Sequence, residues 1–282
     1  MYDVLAESII DTLKLFPFLF LSYLLIELFE HKTSFSNANV LTGKFAPLFA
    51  ALTGIIPQCG FSVTASKLYD KSIIRTGTLL SAFIATSDEA IIILISNGEK
   101  AFAIFPLIAF KLIIAVAVGY IANSATGNAL SLKNKGQTVK NQTCSHVHEG
   151  WFGTFVISPL YHALKTFFFV LAVNIAFGSA IYFIGEEKIS LFLFKSSAFQ
   201  PFLTALVGLI PNCASSVILT QTYILGKISF ASLFSGLCTN AGVALIVLFK
   251  GKKIKKALAI CVILYAVGVF SGLLLDCLSK IV

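Results

Sequence analysis

The sequence predicts an all-α membrane protein built as an inverted repeat of two halves. Of its 282 residues, 57% are hydrophobic and only 12% are charged, whereas soluble domains are about 25% charged. An internal duplication is the second observation: GIIPQCG at 54–60 returns 154 residues later as GLIPNCA at 208–214. Each half is therefore expected to hold three spanning helices and a broken or re-entrant helical hairpin, about ten helical segments in total.

The duplication extends beyond the heptapeptide. Nine of the 17 positions from 47 to 63 are identical to their partners at 201–217. Shared leucine and isoleucine carry little weight in apolar segments, but a shared Gly-x-x-Pro-[Gln/Asn]-Cys followed by Ser is hard to obtain by chance. We therefore predict a first transmembrane repeat at 1–123 and a second at 158–282, joined by a linker loop at 124–157.

Apolar stretches long enough to be spans or hairpins recur along the chain. A helix needs about 20 apolar residues to cross the hydrocarbon core. The first run follows three acidic residues and lacks a basic n-region, so we expect a retained span and not a signal peptide. The predicted segments are 9–29, 45–69, 76–96, 102–121, 160–183, 200–223, 230–249 and 257–275.

Two of these segments, 45–69 and 200–223, are interrupted midway by the proline of the repeated motif, Pro57 and Pro211. Proline removes a backbone donor and breaks the helical ladder, and Gly60 allows a turn after the first break. Each arm of 45–69 has about 11 residues, which as a helix spans roughly 16 Å, half of a bilayer core. Both a kinked crossing and a re-entrant hairpin fit this length.

The distribution of basic residues separates these two models. With re-entrant hairpins, 13 basic residues fall on one membrane face and five on the other; with kinked crossings the division is 10 to eight. The positive-inside rule favours the hairpins, and hence inverted halves. The linker loop is then cytoplasmic and the termini lie outside, in a multi-pass protein of the cell membrane. The net charge of +8 thus reports topology in a lipid bilayer, not nucleic-acid binding.

Two carboxylates, Asp88 and Glu89, lie near the middle of a predicted span. A carboxylate at that depth costs at least ~2.5 kcal/mol and usually marks an ion or proton path. The alternative is a packing role, with the carboxylate paired to a lysine such as Lys111. Polar neighbours in the first copy, and residues at the equivalent depth in the second, complete this candidate set: Thr86, Ser87, Thr239 and Asn240.

The two proline breaks carry the other candidate ligands, which are Gln58, Cys59, Asn212 and Cys213. Unwound backbone exposes carbonyls that can coordinate a cation, while helix N-termini after each break would favour an anion. Small polar residues also serve simply to pack a helix crossing. Carboxylate, amide and carbonyl oxygens suit manganese or another hard divalent ion, and thiols suit a softer ion or an arsenical.

The linker loop contains a Cys-x-His-x-His sequence, formed by Cys144, His146 and His148. In an extended segment these alternate side chains share one face and could together hold one metal ion; the alternative is a plain polar loop. No Walker sequence is present, so ATP hydrolysis is not indicated. We expect no permanently bound cofactor.

At these motifs the chain resembles the ten-transmembrane heavy-metal exporter family, whose members are described as arsenic efflux proteins or manganese transporters. The resemblance rests on 54–60, 86–90, 208–213 and 238–242. It implies export and ten helices, a count that fits if the hairpin arms are separate short helices. Many members have a His-rich central loop, which here is reduced to three residues.

Together these features predict a secondary transporter, not an enzyme, that exports a metal or metalloid ion from the cytoplasm. Proton antiport is one expected form of coupling, because a carboxylate that binds either a cation or a proton produces exchange. Two alternatives remain. One is a permease for a small organic solute or anion, and the other is a membrane enzyme that uses Cys59 or Cys213 as nucleophile, although no base stands beside either thiol.

Overall fold

Every regular element in the described part of the chain is helical. The computed structural model describes residues 43–55, 59–86, 88–98, 100–131, 199–251 and 254–281, with isolated positions between 13 and 24 and between 160 and 179. No strand occurs within these ranges. One contact links the isolated positions: the rings of Phe16 and Phe167 meet edge to face with centroids 5.4 Å apart.

The predicted interruption of both proline segments is confirmed by the helix boundaries. In the first copy one helix ends at Gly54 and the next begins at Cys59, and in the second copy the boundaries are Gly208 and Cys213. The first-copy helices are α1 (Ala46–Gly54), α2 (Cys59–Asp70), α3 (Thr76–Ala85), α4 (Asp88–Ser96) and α5 (Ile104–Ser131). The second-copy helices are α6 (Gln200–Gly208), α7 (Cys213–Ile224), α8 (Phe230–Thr239), α9 (Val243–Lys250) and α10 (Ile254–Ile281).

A second interruption in each copy differs from the prediction. Thr76–Ser96 and Phe230–Lys250 are long and apolar enough to cross a membrane, yet neither is one continuous helix. The first is divided into α3 and α4, and the second into α8 and α9. One of the three predicted spans in each half is therefore itself discontinuous. The uninterrupted candidates within the described ranges are Ala101–Ala125 and Ile254–Ser279.

Helix α1 runs alongside α3 in the same direction. Near the start of α1, the Ser81 hydroxyl donates to the Pro47 carbonyl over 2.6 Å. At its end, a Cβ built on Gly54 would lie 2.8 Å from the Ala82 carbonyl and 2.9 Å from the Ala85 Cβ. Since only a short turn separates α2 from α3, α2 ends near the start of α3, on the side where α1 begins. The chain therefore reverses between α1 and α2, and the first helix of this α1–α2 hairpin ends beside the break between α3 and α4.

The second copy repeats these contacts at the same offset of 154 residues. The Ser235 hydroxyl donates to the Pro201 carbonyl over 2.8 Å, as Ser81 does to Pro47. Gly208 packs against the Gly236 carbonyl and the Thr239 hydroxyl, as Gly54 does against α3. The α6–α7 hairpin therefore meets the break between α8 and α9 in the way its counterpart meets the first.

The second helix of each hairpin packs against a helix of the other copy. Ser66 of α2 donates to the Ala244 carbonyl of α9 over 2.9 Å, and Gly251, directly after α9, lies against the Asp70 carboxylate. These contacts define the α2–α9 seam, in which both helices run away from the breaks and end together. Helices α4 and α7 also pack on each other. This α4–α7 seam ends where the Lys100 ammonium lies 5.1 Å from the Tyr223 ring centre.

We expect Gly208→Ala to destabilise the protein, because its new Cβ would collide with the backbone carbonyl of Gly236. Overpacking of this kind costs about 1–3 kcal/mol, so the thermal unfolding midpoint in detergent should fall by several degrees. Gly98→Ala is the matched control, since its Cβ would meet nothing within 4 Å. Equal midpoints for the two variants would contradict the close approach of α6 and α8.

Candidate ion site at the helix breaks

The first break begins at Thr86, which directly follows α3 and is extended, with φ −60° and ψ 130°. Its hydroxyl donates back to the Ala82 carbonyl over 2.8 Å, so the side chain adds a hydrogen bond to a carbonyl in the last turn of α3. Its own carbonyl accepts a hydrogen bond from the Lys111 ammonium. Thr86 is 2% exposed, which places this unwound backbone inside the protein.

Lys111 is a site residue that the sequence offered only as a packing partner. It lies in α5, inside a candidate span, and is 0% exposed. The ring of its neighbour Phe110 lies edge to face with Phe234 of α8, with centroids 6.3 Å apart, so this part of α5 lies where the two copies meet. A lysine within an apolar span is a functional-site candidate on its own, and this was the signal that could have identified it.

The second break is held open by Asn240 and Gly242. Asn240 is extended, with φ −79° and ψ 95°, and its side-chain oxygen accepts from the Gly242 amide over 3.0 Å. Gly242 has φ 52° and ψ −142°, a conformation that side chains with a Cβ rarely adopt. The Asn240 side chain thus closes a short loop and gives the Gly242 amide a hydrogen-bond acceptor in place of a helical carbonyl.

Thr239 links this break to the neighbouring hairpin. Its hydroxyl donates to the Ala205 carbonyl of α6 over 2.8 Å and lies 2.9 Å from the Gly236 carbonyl. Thr239 is 0% and Asn240 is 3% exposed. The structure thus brings these two predicted site residues into one buried polar group beside the end of α6.

Asn212 caps the returning helix of the second hairpin. Its side-chain oxygen accepts from the Ala214 amide over 3.3 Å, and its carbonyl accepts from the Ser215 hydroxyl over 2.6 Å. The N-cap role explains why an amide stands directly before α7. Asn212 is largely buried, so its polar group lies at the start of the helix inside the protein.

Buried hydroxyl groups follow both hairpin turns, one helical turn apart. In α2 these are Ser62 and Ser66, and in α7 they are Ser216 and Thr220, all almost fully buried. The pairs correspond at an offset of 154 residues. Four-residue spacing puts each pair on one face of its helix, and the Ser66 contact with α9 shows that the first pair faces the α2–α9 seam.

The other predicted site residues are placed only in part. Cys59, Asp88 and Cys213 each begin a helix and Glu89 follows Asp88, but their side chains lie outside the described part of the structure. Among the residues that the structure does describe, no group of three or more His, Cys, Asp or Glu is assembled for a metal ion. The remaining predictions fall outside the described residues: Gln58, Ser87, Cys144, His146 and His148.

Eight helix ends lie at the four breaks, and each end contributes a partial charge there. Helices α1, α3, α6 and α8 end there, and α2, α4, α7 and α9 begin there. C-terminal ends carry partial negative charge and N-terminal ends partial positive charge. Discontinuous helices that meet inside a membrane commonly bind ions and small solutes in this way.

The fold and the site define the class as a polytopic α-helical membrane protein with paired discontinuous helices. Comparison with protein families makes the assignment specific. The family model described as "Putative, 10TM heavy-metal exporter" matches residues 13–183 and 156–281, and the chain belongs to this family. No curated protein and no solved structure matches this chain. The predicted family resemblance is thereby confirmed.

We expect Asn240→Leu to lower the stability of the protein, because it leaves the buried Gly242 amide without its acceptor. An unsatisfied buried amide costs about 1–3 kcal/mol. The measurement is the unfolding midpoint in detergent, compared with those of the wild type and of Gly98→Ala, which should agree with each other. A Leu variant as stable as the wild type would show that the loop does not depend on this bond.

Proposed function

We propose that this protein is a secondary transporter that exports a metal or metalloid ion from the cytoplasm, and that its two halves are inverted. The observation that carries the proposal is that α1 and α6, the first helices of the two hairpins, each end beside a helix break in the buried interior. Thr86, Thr239 and Asn240 all lie there. Unwound backbone at membrane depth is tolerated only inside the protein or along a cavity, and family membership favours an exporter.

The two seams support inversion of the halves. The segment α3–α4 leads from the membrane end marked by Asp70 to the end marked by Lys100. The segment α8–α9 starts after α7, at the Tyr223 end, and leads to Gly251 beside Asp70. Equivalent segments therefore cross in opposite directions, which is the arrangement that alternating access uses in inverted-repeat transporters.

The basic residues support a cytoplasmic location for the Asp70 end. Among the described residues, only Lys100, Lys227 and Lys280 mark the opposite end. Under the positive-inside rule, the central loop at 124–157 is then cytoplasmic and the termini lie outside. The basic residues around the Asp70 end are Lys44, Lys67, Lys71, Arg75, Lys250, Lys255 and Lys256.

We assign the transported ion to the space around the four breaks. Asp88 is the first choice as ligand or coupling carboxylate, because it begins α4 directly beyond the Thr86 break, and Glu89 is second. An Asp that holds either the ion or a proton would give proton antiport. The remaining proposed ligands are Gln58, Cys59, Thr86, Ser87, Asn212, Cys213, Thr239 and Asn240.

Access to this space follows the seams. Opening the α2–α9 seam would expose Ser62 and Ser66 to the cytoplasm, and opening the α4–α7 seam would expose the opposite side. In each state the other seam stays closed. Hydroxyl groups along the opened seam would solvate an ion on its way to the breaks, which accounts for their burial in apolar helices.

Metal capture by the linker loop is a separate proposal. Cys144, His146 and His148 would hold an ion at the cytoplasmic entrance before it reaches the breaks. Replacing all three by serine should raise the KM for export and leave the maximal rate unchanged. An unchanged KM in vesicle uptake would assign the sequence to a plain polar loop.

One observation favours the second candidate, a permease for a small anion. The buried Lys111 ammonium and four helix N-termini could together stabilise a negative charge. The decisive experiment is uptake into inside-out vesicles with Mn²⁺, Cd²⁺, arsenite and phosphate. Accumulation of a metal or arsenite supports the exporter, whereas accumulation of phosphate alone supports the permease.

A further inference from the structure

The Lys111 ammonium occupies a place where a cation is electrostatically favoured. The last carbonyls of a helix have no intrahelical donor and carry the negative end of its dipole. Thr86 follows the last residue of α3, and its carbonyl accepts from Lys111. A transported cation that coordinates the backbone of this break would need the same oxygen.

In the second copy, the described position that corresponds to Lys111 is not a lysine. Helix α5 packs on α3 through Gly119, and α10 packs on α8 through Gly272, each against the equivalent serine. This correspondence, an offset of 153 residues, matches Lys111 with Leu264, which is also 0% exposed. The two breaks thus differ at this position, where the first copy buries an ammonium group and the second buries a leucine.

We propose that Lys111 is a resident cation of the transport site, which the incoming ion must displace from the Thr86 carbonyl. This inference rests on the proposed export of a cation through the breaks. In the empty transporter the ammonium holds the oxygen; in the loaded transporter the ion holds it and the lysine side chain has moved away. Return of the lysine then helps to release the ion on the far side.

Competition of this kind makes a specific forecast for affinity and rate. Removing the positive charge should tighten binding of a divalent cation by about tenfold to a hundredfold, the gain from ending competition with one charge-assisted hydrogen bond. Release should slow, so the KM for uptake and the maximal rate should both fall. If Lys111 were instead the partner of a transported anion, its removal would weaken binding.

The experiment uses the full chain in nanodiscs, as wild type, Lys111→Gln, Lys111→Met and the control Lys227→Gln. Binding of Mn²⁺ and of Cd²⁺ is titrated for each protein, and vesicle uptake gives KM and maximal rate. Lys111→Gln keeps a donor for the Thr86 carbonyl without the charge. Tighter binding by both Lys111 variants, with wild-type affinity in Lys227→Gln, supports the inference.

The contrary outcomes are distinguishable. Wild type that binds and transports neither metal overturns the proposed cation export and this inference with it. Wild type that binds, with Lys111 variants that bind equally or more weakly, overturns the inference alone. Failure of both Lys111 variants to fold would make the lysine a structural support and would also overturn it.

Discussion

Asp88→Asn is expected to reduce ion export to the level of vesicles that lack the protein. Asparagine keeps the size and most hydrogen bonds of aspartate but can neither bind a divalent cation with a charge nor exchange it for a proton. Because Asp88 begins α4 directly beyond the Thr86 break, the loss should affect transport and not assembly. The measurement is ion uptake by inside-out vesicles, normalised to the amount of protein in the membrane.

Glu89→Gln is the matched variant, since it removes the adjacent charge on the same helix. Neighbouring helix positions point about 100° apart, so one of the two carboxylates should face the ion, and we assign that role to Asp88. We therefore expect a smaller loss of transport from Glu89→Gln. Full transport by Asp88→Asn would exclude a coupling role for that residue. A larger loss in Glu89→Gln would transfer the role to Glu89.

A disulfide across the α2–α9 seam is expected to stop transport completely and reversibly. Ser66 of α2 and Ala244 of α9 are in contact across the seam, with the Ser66 hydroxyl 2.9 Å from the Ala244 carbonyl. Oxidising the double variant Ser66→Cys/Ala244→Cys would join the two copies where one must move away from the other. Vesicle uptake should vanish on oxidation and return after reduction, provided that α2 and α9 separate in each cycle.

The controls are Ser66→Cys alone, Ala244→Cys alone and the wild type, all treated with the same oxidant, because the native chain already contains six cysteines. Only the double variant should respond. Unimpaired transport with the cross-link in place, verified by mass spectrometry, would show that the seam stays closed throughout the cycle. The access route would then have to lie elsewhere.

The proline breaks could be predicted from the sequence because their signal is local and chemical. Pro57 and Pro211 remove backbone donors at the same repeat position, and no tertiary contact is needed to anticipate an interruption. The structure confirms both interruptions, at Gly54–Cys59 and Gly208–Cys213. Family membership was likewise accessible from these motifs.

The second break in each copy could not be predicted in the same way, because no proline lies there. Thr86 and Asn240 lie inside windows whose mean hydropathy is high enough for a continuous span. Asn240 and Gly242 did carry a turn signal, since asparagine binds its own backbone and glycine permits positive φ. The sequence offered Lys111 only as a packing partner for a carboxylate, because the Thr86 carbonyl that it contacts becomes available only once α3 ends at Ala85.

The orientation of the two halves is the central claim, and matched cysteine labelling tests it most directly. Lys71 and Leu225 are exposed turn residues at equivalent positions, 154 residues apart. In intact cells, a membrane-impermeant maleimide should label Leu225→Cys and leave Lys71→Cys unlabelled until the cells are opened, with wild type giving the background. Labelling of both variants from the same side would mean that the halves are parallel, and would contradict export through mirrored breaks.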